Sequence, residues 1–155
     1  MQQIDQNTQA SVDARYRTML ISWLAFFSFI GIYFLFSRFI QQPEVEPAKN
    51  KILTVVLSGM GTLLVVVSLA IKQRFLNQSV EKQDPMILQK GFIVAIAMCE
   101  SSALFGLVDL LATGNRYYFV MLIIAAIGIV LHFPRRDHLL AASYKNRFDA
   151  RDSEK

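Results

Sequence analysis

The chain has 155 residues, 54% of them hydrophobic and only 18% charged, with a mean hydropathy of +0.37. That balance excludes an ordinary soluble domain of this size and reads as an integral membrane protein. A net charge of +4 and a pI near 9.4 would suggest nucleic-acid binding in a soluble protein. Here the basic residues flank apolar blocks, where they meet anionic headgroups, and no nucleic-acid partner is expected.

Residues 1–16 form a polar N-terminal arm that includes Asp5, Asp13 and Arg15. It lacks the short basic leader, apolar stretch and small-residue cleavage site of a secretory signal, so the first apolar block is expected to act as its own uncleaved insertion signal. The arm itself is expected to be poorly ordered or surface-lying. Four apolar blocks follow, at about 17–40, 52–72, 86–112 and 116–133, each close to the length that crosses a hydrocarbon core of about 30 Å. The expected fold is an all-α integral membrane protein. Its transmembrane domain, 17–133, would hold four helices arranged as two antiparallel hairpins, with a basic tail at 134–155.

The first helix is rich in aromatic residues, among them Trp23, Phe26, Phe27, Phe29, Tyr33, Phe34 and Phe36. Their spread around the helix predicts contact with lipid or a neighbouring subunit, and Trp23 and Tyr33 suit the interfaces. Pro43 and Pro47 end the helix and favour an extended link. In the second helix, Ser58, Gly59, Gly61 and Thr62 form a patch of small residues. Such a patch lets another backbone approach closely and supplies hydroxyls for interhelical hydrogen bonds.

A polar link over 72–84 leads to Asp84 and Pro85, which suit a helix N-cap and first helical position. The short stretch Thr113-Gly114-Asn115-Arg116 suits a helix C-cap and tight turn, so the third and fourth helices must run antiparallel. The fourth helix ends at His132-Phe133-Pro134. His132 lacks companions at metal-ligand spacing and is read as interfacial, His138 as solvated in the tail, and 137–144 as a short surface helix. The lone cysteine, Cys99, excludes an intrachain disulfide or CxxC redox pair and is read as a small packing residue. No cofactor, metal site or catalytic residue is expected.

Loop charge assigns the sides. The arm, the 72–90 segment and the tail hold 12 of the Lys and Arg residues, against four on the other side. Basic loops stay cytoplasmic, so the expected location is a bacterial inner membrane with both termini in the cytoplasm.

The third helix carries Glu100 inside the apolar run 91–108. A central acidic residue costs about 2.5 to 3.5 kcal/mol on insertion scales, and it either finds a partner or holds a proton. Ten helical steps from Lys90 set Glu100 about 15 Å deep, near the midplane. Asp109 lies nine steps on and on the opposite side of the helix, so the two carboxylates cannot pair. It is expected near the membrane edge, within reach of water or Arg116, in an interfacial or structural role.

The stretch Glu100-Ser101-Ser102-Ala103-Leu104-Phe105-Gly106-Leu107-Val108 resembles the carboxylate-bearing helix of rotor-ring c subunits, the proteolipids of rotary ATP synthases and ATPases. Glu100, Leu104, Phe105, Gly106, Leu107 and Val108 stand in matching places, and the rest of the chain does not match. The resemblance implies an ion-binding carboxylate at Glu100 that exchanges H+ or Na+.

Two functional expectations follow. The first is a non-catalytic subunit or accessory protein of a membrane complex. Lipid and other membrane subunits, or further copies of the chain, would be its partners, and Gly59, Gly61 and Gly106 would serve helix packing. The alternative is proton or cation translocation through a proteolipid-like or small transporter-like oligomer. Glu100 would bind the ion with Ser101 and Ser102, and Ser58 or Thr62 would supply partner hydroxyls.

Overall fold

The computed structural model describes residues 2–39 and 51–144, with side chains placed over 9–39 and 51–143. The link containing Pro43 and Pro47 lies outside the described residues. Five helices follow in order: α1 (Gln2–Phe39), α2 (Lys51–Lys82), α3 (Pro85–Thr113), α4 (Phe119–Leu131) and α5 (Arg136–Tyr144). The described chain is all-α. Three helices are long and apolar enough to cross a bilayer, and a fourth is added if α4 and α5, bent by 45° at their joint, count as one span.

Contacts along the helices fix their directions. Between α2 and α3, Thr54 meets Asp109, Ser68 meets Cys99, and Phe75 abuts Gly91. One number falls as the other rises, so the pair is antiparallel. Trp23 with Ile129 and Ser37 with Tyr118 make α1 antiparallel to α4, whereas Arg15 with Gln89 and Tyr33 with Glu100 make it parallel to α3. Helix α3 is the hub. Half of its apolar window is buried, against 11% in α1 and 17% in α2. The closest antiparallel pair is therefore α2 with α3, and the expected first hairpin of α1 and α2 is not an extensively packed unit.

The reason lies in three heptad seams. In α1 the inward residues are Val12, Tyr16, Met19, Trp23, Phe26, Ile30, Tyr33 and Ser37, alternating four and three apart. In α2 they are Thr54, Ser58, Gly61, Val65, Ser68, Lys72, Phe75 and Ser79, at the same spacing. In α3, Leu88, Phe92, Ala95, Cys99, Ser102, Gly106, Asp109 and Thr113 answer them. A 3.5-residue repeat keeps one stripe facing its neighbour along a gently supercoiled pair.

Local signals set the joints. Asp84 is extended at φ −117°, its carboxylate accepts from the Met86 amide at 2.8 Å, and Pro85 opens α3. Gly114 closes α3 in the left-handed region at φ 65°, its amide donating to the Leu110 carbonyl at 2.9 Å. Beyond the apolar blocks the structure departs from expectation. The arm is helical from Gln2, with Val12 only 1% exposed, and α2 continues to Lys82 where a polar link was expected. Both run past the apolar region because α5 docks there. Helix α5 packs against α1, α2 and α3 with Leu139 and Ala142 fully buried, and Arg136 pairs with Asp13 at 2.7 Å. The arm and α5 thus form a small helical layer at one end of the bundle.

Candidate functional site

Glu100 faces α1. The Tyr33 hydroxyl donates to its Oε1 at 2.6 Å, in the range of a strong charge-assisted or acid hydrogen bond. Tyr33 is a seam position of α1, and Gln89, eleven residues before Glu100 on the same face of α3, receives a contact from Arg15 at 3.4 Å. The tie therefore sits on the regular α1–α3 contact line. Glu100 is only partly buried, and its second carboxylate oxygen has no partner among the described residues.

The hydroxyls expected to serve Glu100 lie elsewhere. Ser101 donates to the Ala97 carbonyl of its own helix at 2.9 Å. Ser102 points toward α2, fully buried, its hydroxyl without a hydrogen-bond partner. Ser58 is half-buried and Thr62 exposed, both on α2, and neither bonds Glu100. The reason is angular: α2 and α1 pack on different faces of α3, and Glu100 is on the α1 face.

The packing glycines also divide. A side-chain carbon on Gly61 would run into the Met121 methyl and lie 3.0 Å from the Ser102 hydroxyl. On Gly106 it would lie 2.8 Å from Met121 Cβ and 3.1 Å from the Tyr118 carbonyl. Gly59 faces open space. Two further glycines escaped the sequence reading: Gly91 lies against the stem of Phe75, and a carbon on Gly128 would stand 2.8 Å from Cys99 Sγ.

Two other polar groups are built around α3. Asp109 is 1% exposed and accepts from Thr54 at 2.8 Å, Thr113 at 3.0 Å and Asn115 Nδ2 at 2.6 Å. It is therefore not the water-reaching residue expected at the membrane edge. A buried carboxylate needs such donors, and the α3–α4 turn brings Asn115 back to supply one. Near the other end, Ser68 donates to the Val65 carbonyl at 2.7 Å, and Cys99 Sγ lies 3.2 Å from its hydroxyl. His132, expected at an interface, is fully buried; its Nδ1 bonds the Gly128 carbonyl at 2.6 Å, and Nε2 lies 3.3 Å from the Ser68 carbonyl.

Trp23 Nε1 donates to the Ile129 carbonyl and Lys72 Nζ to the Leu131 carbonyl, each at 2.8 Å. Three side chains thus add donors to carbonyls of the last turn of α4, where Gly128 and Ile129 also accept from the His132 amide. His138, expected in a solvated tail, is half-buried in α5. Among the described residues no three His, Cys, Asp or Glu side chains are grouped as metal ligands.

Tyr33 is the partner that sequence reasoning missed. The signal was the 3–4 spacing of the α1 seam, hidden because Phe and Leu also fill the outward positions. No family model, curated protein or solved structure matches the chain.

Proposed function

We propose that this chain is a four-span membrane protein with both termini on the cytoplasmic side of a bacterial inner membrane. In this reading it acts as a non-catalytic subunit or accessory protein of a membrane complex. The observation that carries the membrane reading is the inversion of α2. Its inward seam includes Gly61 and Ser68, buried, and Thr54 and Ser58, half-buried, while Ile52, Val55, Leu63 and Val66 are 58–82% exposed. Water would drive the opposite arrangement, whereas a bilayer rewards small residues at helix contacts and apolar side chains outside. Alkaline carbonate washing should leave the protein in the membrane pellet, and detergent should release it. Recovery in the aqueous wash would overturn the reading.

The accessory role rests on what the buried polar groups do. Tyr33 ties Glu100, the Asp109 cluster ties α2 to the α3–α4 turn, and His132, Trp23 and Lys72 cap α4. These bonds tie helices together; His132 Nδ1 also lies 3.9 Å from the buried Cys99 thiol, and among the described residues no three His, Cys, Asp or Glu side chains form a metal set. Exchange of Glu100 for Gln keeps an acceptor for Tyr33, so assembly and activity of the host complex should survive. Loss of a transport current with assembly intact would overturn the accessory role.

One observation favours ion exchange as a second reading. Glu100 is partly exposed, with one oxygen unpartnered among the described residues, which suits a carboxylate that loads and unloads a proton or Na+. Carbodiimide labelling of Glu100, suppressed by Na+ or by a change in pH, is the outcome this reading requires. Absence of labelling at every pH would remove it.

A further inference from the structure

We infer that the cleft at the α4–α5 joint is a binding site for the phosphate headgroup of an anionic phospholipid, an inference that rests on the membrane reading but not on the role of Glu100. The cleft is lined by Met19 of α1, Lys72 of α2, Phe92 of α3, Phe133 and Arg135 of the joint, and His138 of α5. Its two halves differ in chemistry. Met19 and Phe92 are buried apolar surface, and Phe133 extends this wall outward with 44% of its own surface exposed. Lys72, Arg135 and His138 form the polar rim, close enough for Lys72 and Arg135 to act on each other and on His138 as like charges.

The acids nearby do not neutralise this rim. Asp13 is engaged with Arg136 at 2.7 Å, and Asp137, which acts on His138, points its own side chain into solvent. Among the described residues, two fixed cations and an imidazole therefore share one cleft with a single exposed carboxylate beside them, and Lys72, which gives one N–H to the Leu131 carbonyl, keeps two to donate. An anion relieves their repulsion, and three donors of this kind suit phosphate oxygens.

The apolar wall selects the source of the phosphate. A free phosphate gains nothing from the exposed Phe133 ring, whereas a phospholipid lays the start of its acyl chains against it, over the buried Met19 and Phe92. The position agrees: Lys72 stands where the apolar block of α2 ends, and Phe133-Pro134-Arg135 is where the chain leaves α4. Basic pockets between helices on the cytoplasmic side are where anionic headgroups are held. In a four-span orientation with both termini inside, the cleft opens at that face.

Purified, delipidated full-length protein in detergent, titrated with phosphatidylglycerol or phosphatidylcholine and followed by native mass spectrometry, tests the site. One phosphatidylglycerol should bind per chain, with phosphatidylcholine much weaker. Arg135→Gln should weaken phosphatidylglycerol by about fivefold, as should His138→Gln if the imidazole is charged in the complex, while Arg38→Gln at the far end of α1 leaves it unchanged. Arg135 is exposed, and an unchanged melting temperature without lipid shows that its replacement leaves the fold intact. Equal binding of the two lipids, or unchanged phosphatidylglycerol affinity in Arg135→Gln, overturns the site. Displacement of phosphatidylglycerol by inorganic phosphate alone overturns the lipid and leaves a free-anion site. Carbonate extraction bears separately on the membrane reading, so the two failures are distinguishable.

Discussion

Tyr33 and Glu100 show how one hydrogen bond can answer an expensive residue. The carboxylate was conspicuous in the sequence because it interrupts an apolar run, but its partner was one aromatic among many. Replacing Tyr33 with Phe removes only the hydroxyl, and interhelical hydrogen bonds in membranes are worth about 0.6 kcal/mol on average and up to about 1.7. Tyr33→Phe should therefore destabilise the bundle by about 1 kcal/mol in reversible unfolding from mixed micelles. Glu100→Gln should cost less than Glu100→Ala, since the amide oxygen still accepts; equal losses would show that Tyr33 is not the partner that matters. The expected reach of Asp109 to water fails for a related reason, while the structural role expected of it agrees with its hydrogen bonds. Its sequence position near the block end suggested water, and only the return of Asn115 through the turn encloses it.

At the scale of the helix, small residues matter by what faces them. Gly91 packs on the Cβ and Cγ of Phe75, atoms that cannot swing aside, so Gly91→Ala should cost about 1 to 3 kcal/mol through overpacking. Gly61 meets the far end of Met121, which can turn away, and Gly61→Ala should cost less. Gly59 meets nothing, and Gly59→Ala should be neutral or gain up to about 1 kcal/mol from helix propensity. Melting temperatures of the three variants in one detergent check the order Gly91, Gly61, Gly59 from most to least harmful. The glycines themselves were legible in the sequence. Which of them was close-packed was not, because that depends on the angular phase of α2 against α3.

At the scale of the whole molecule, the arm and α5 act together. Leu139 of α5, which packs against α1, α2 and α3, is fully buried, and Leu139→Ala should cost about 2 to 5 kcal/mol of local stability. The loss should appear as faster tryptic cleavage at Arg15 and Arg17, with the apolar bundle still resistant. Protection unchanged from the parent would show that α5 does not hold the arm. The surface pair Asp13–Arg136 is a weaker tie: both partners are about half exposed, so Asp13→Asn should change stability by no more than about 1 kcal/mol and less at high salt.

The sequence by itself determined the helical class, the apolar blocks, the Asp84-Pro85 start and Gly114 stop of α3, and the conspicuous acid at position 100. These are local properties, set by composition, capping chemistry and the backbone freedom of single residues. Tertiary structure decided that α3 is the hub, that Tyr33 reaches Glu100 while Ser58 and Thr62 do not, and that the polar arm continues α1 and residues 136–144 form α5. It also gathered Lys72, Arg135 and His138 around one cleft. Each of these depends on which face of a helix meets which neighbour. A chain whose outward residues are as apolar as its inward ones hides that phase, because a bilayer removes the contrast by which water would have marked the buried side.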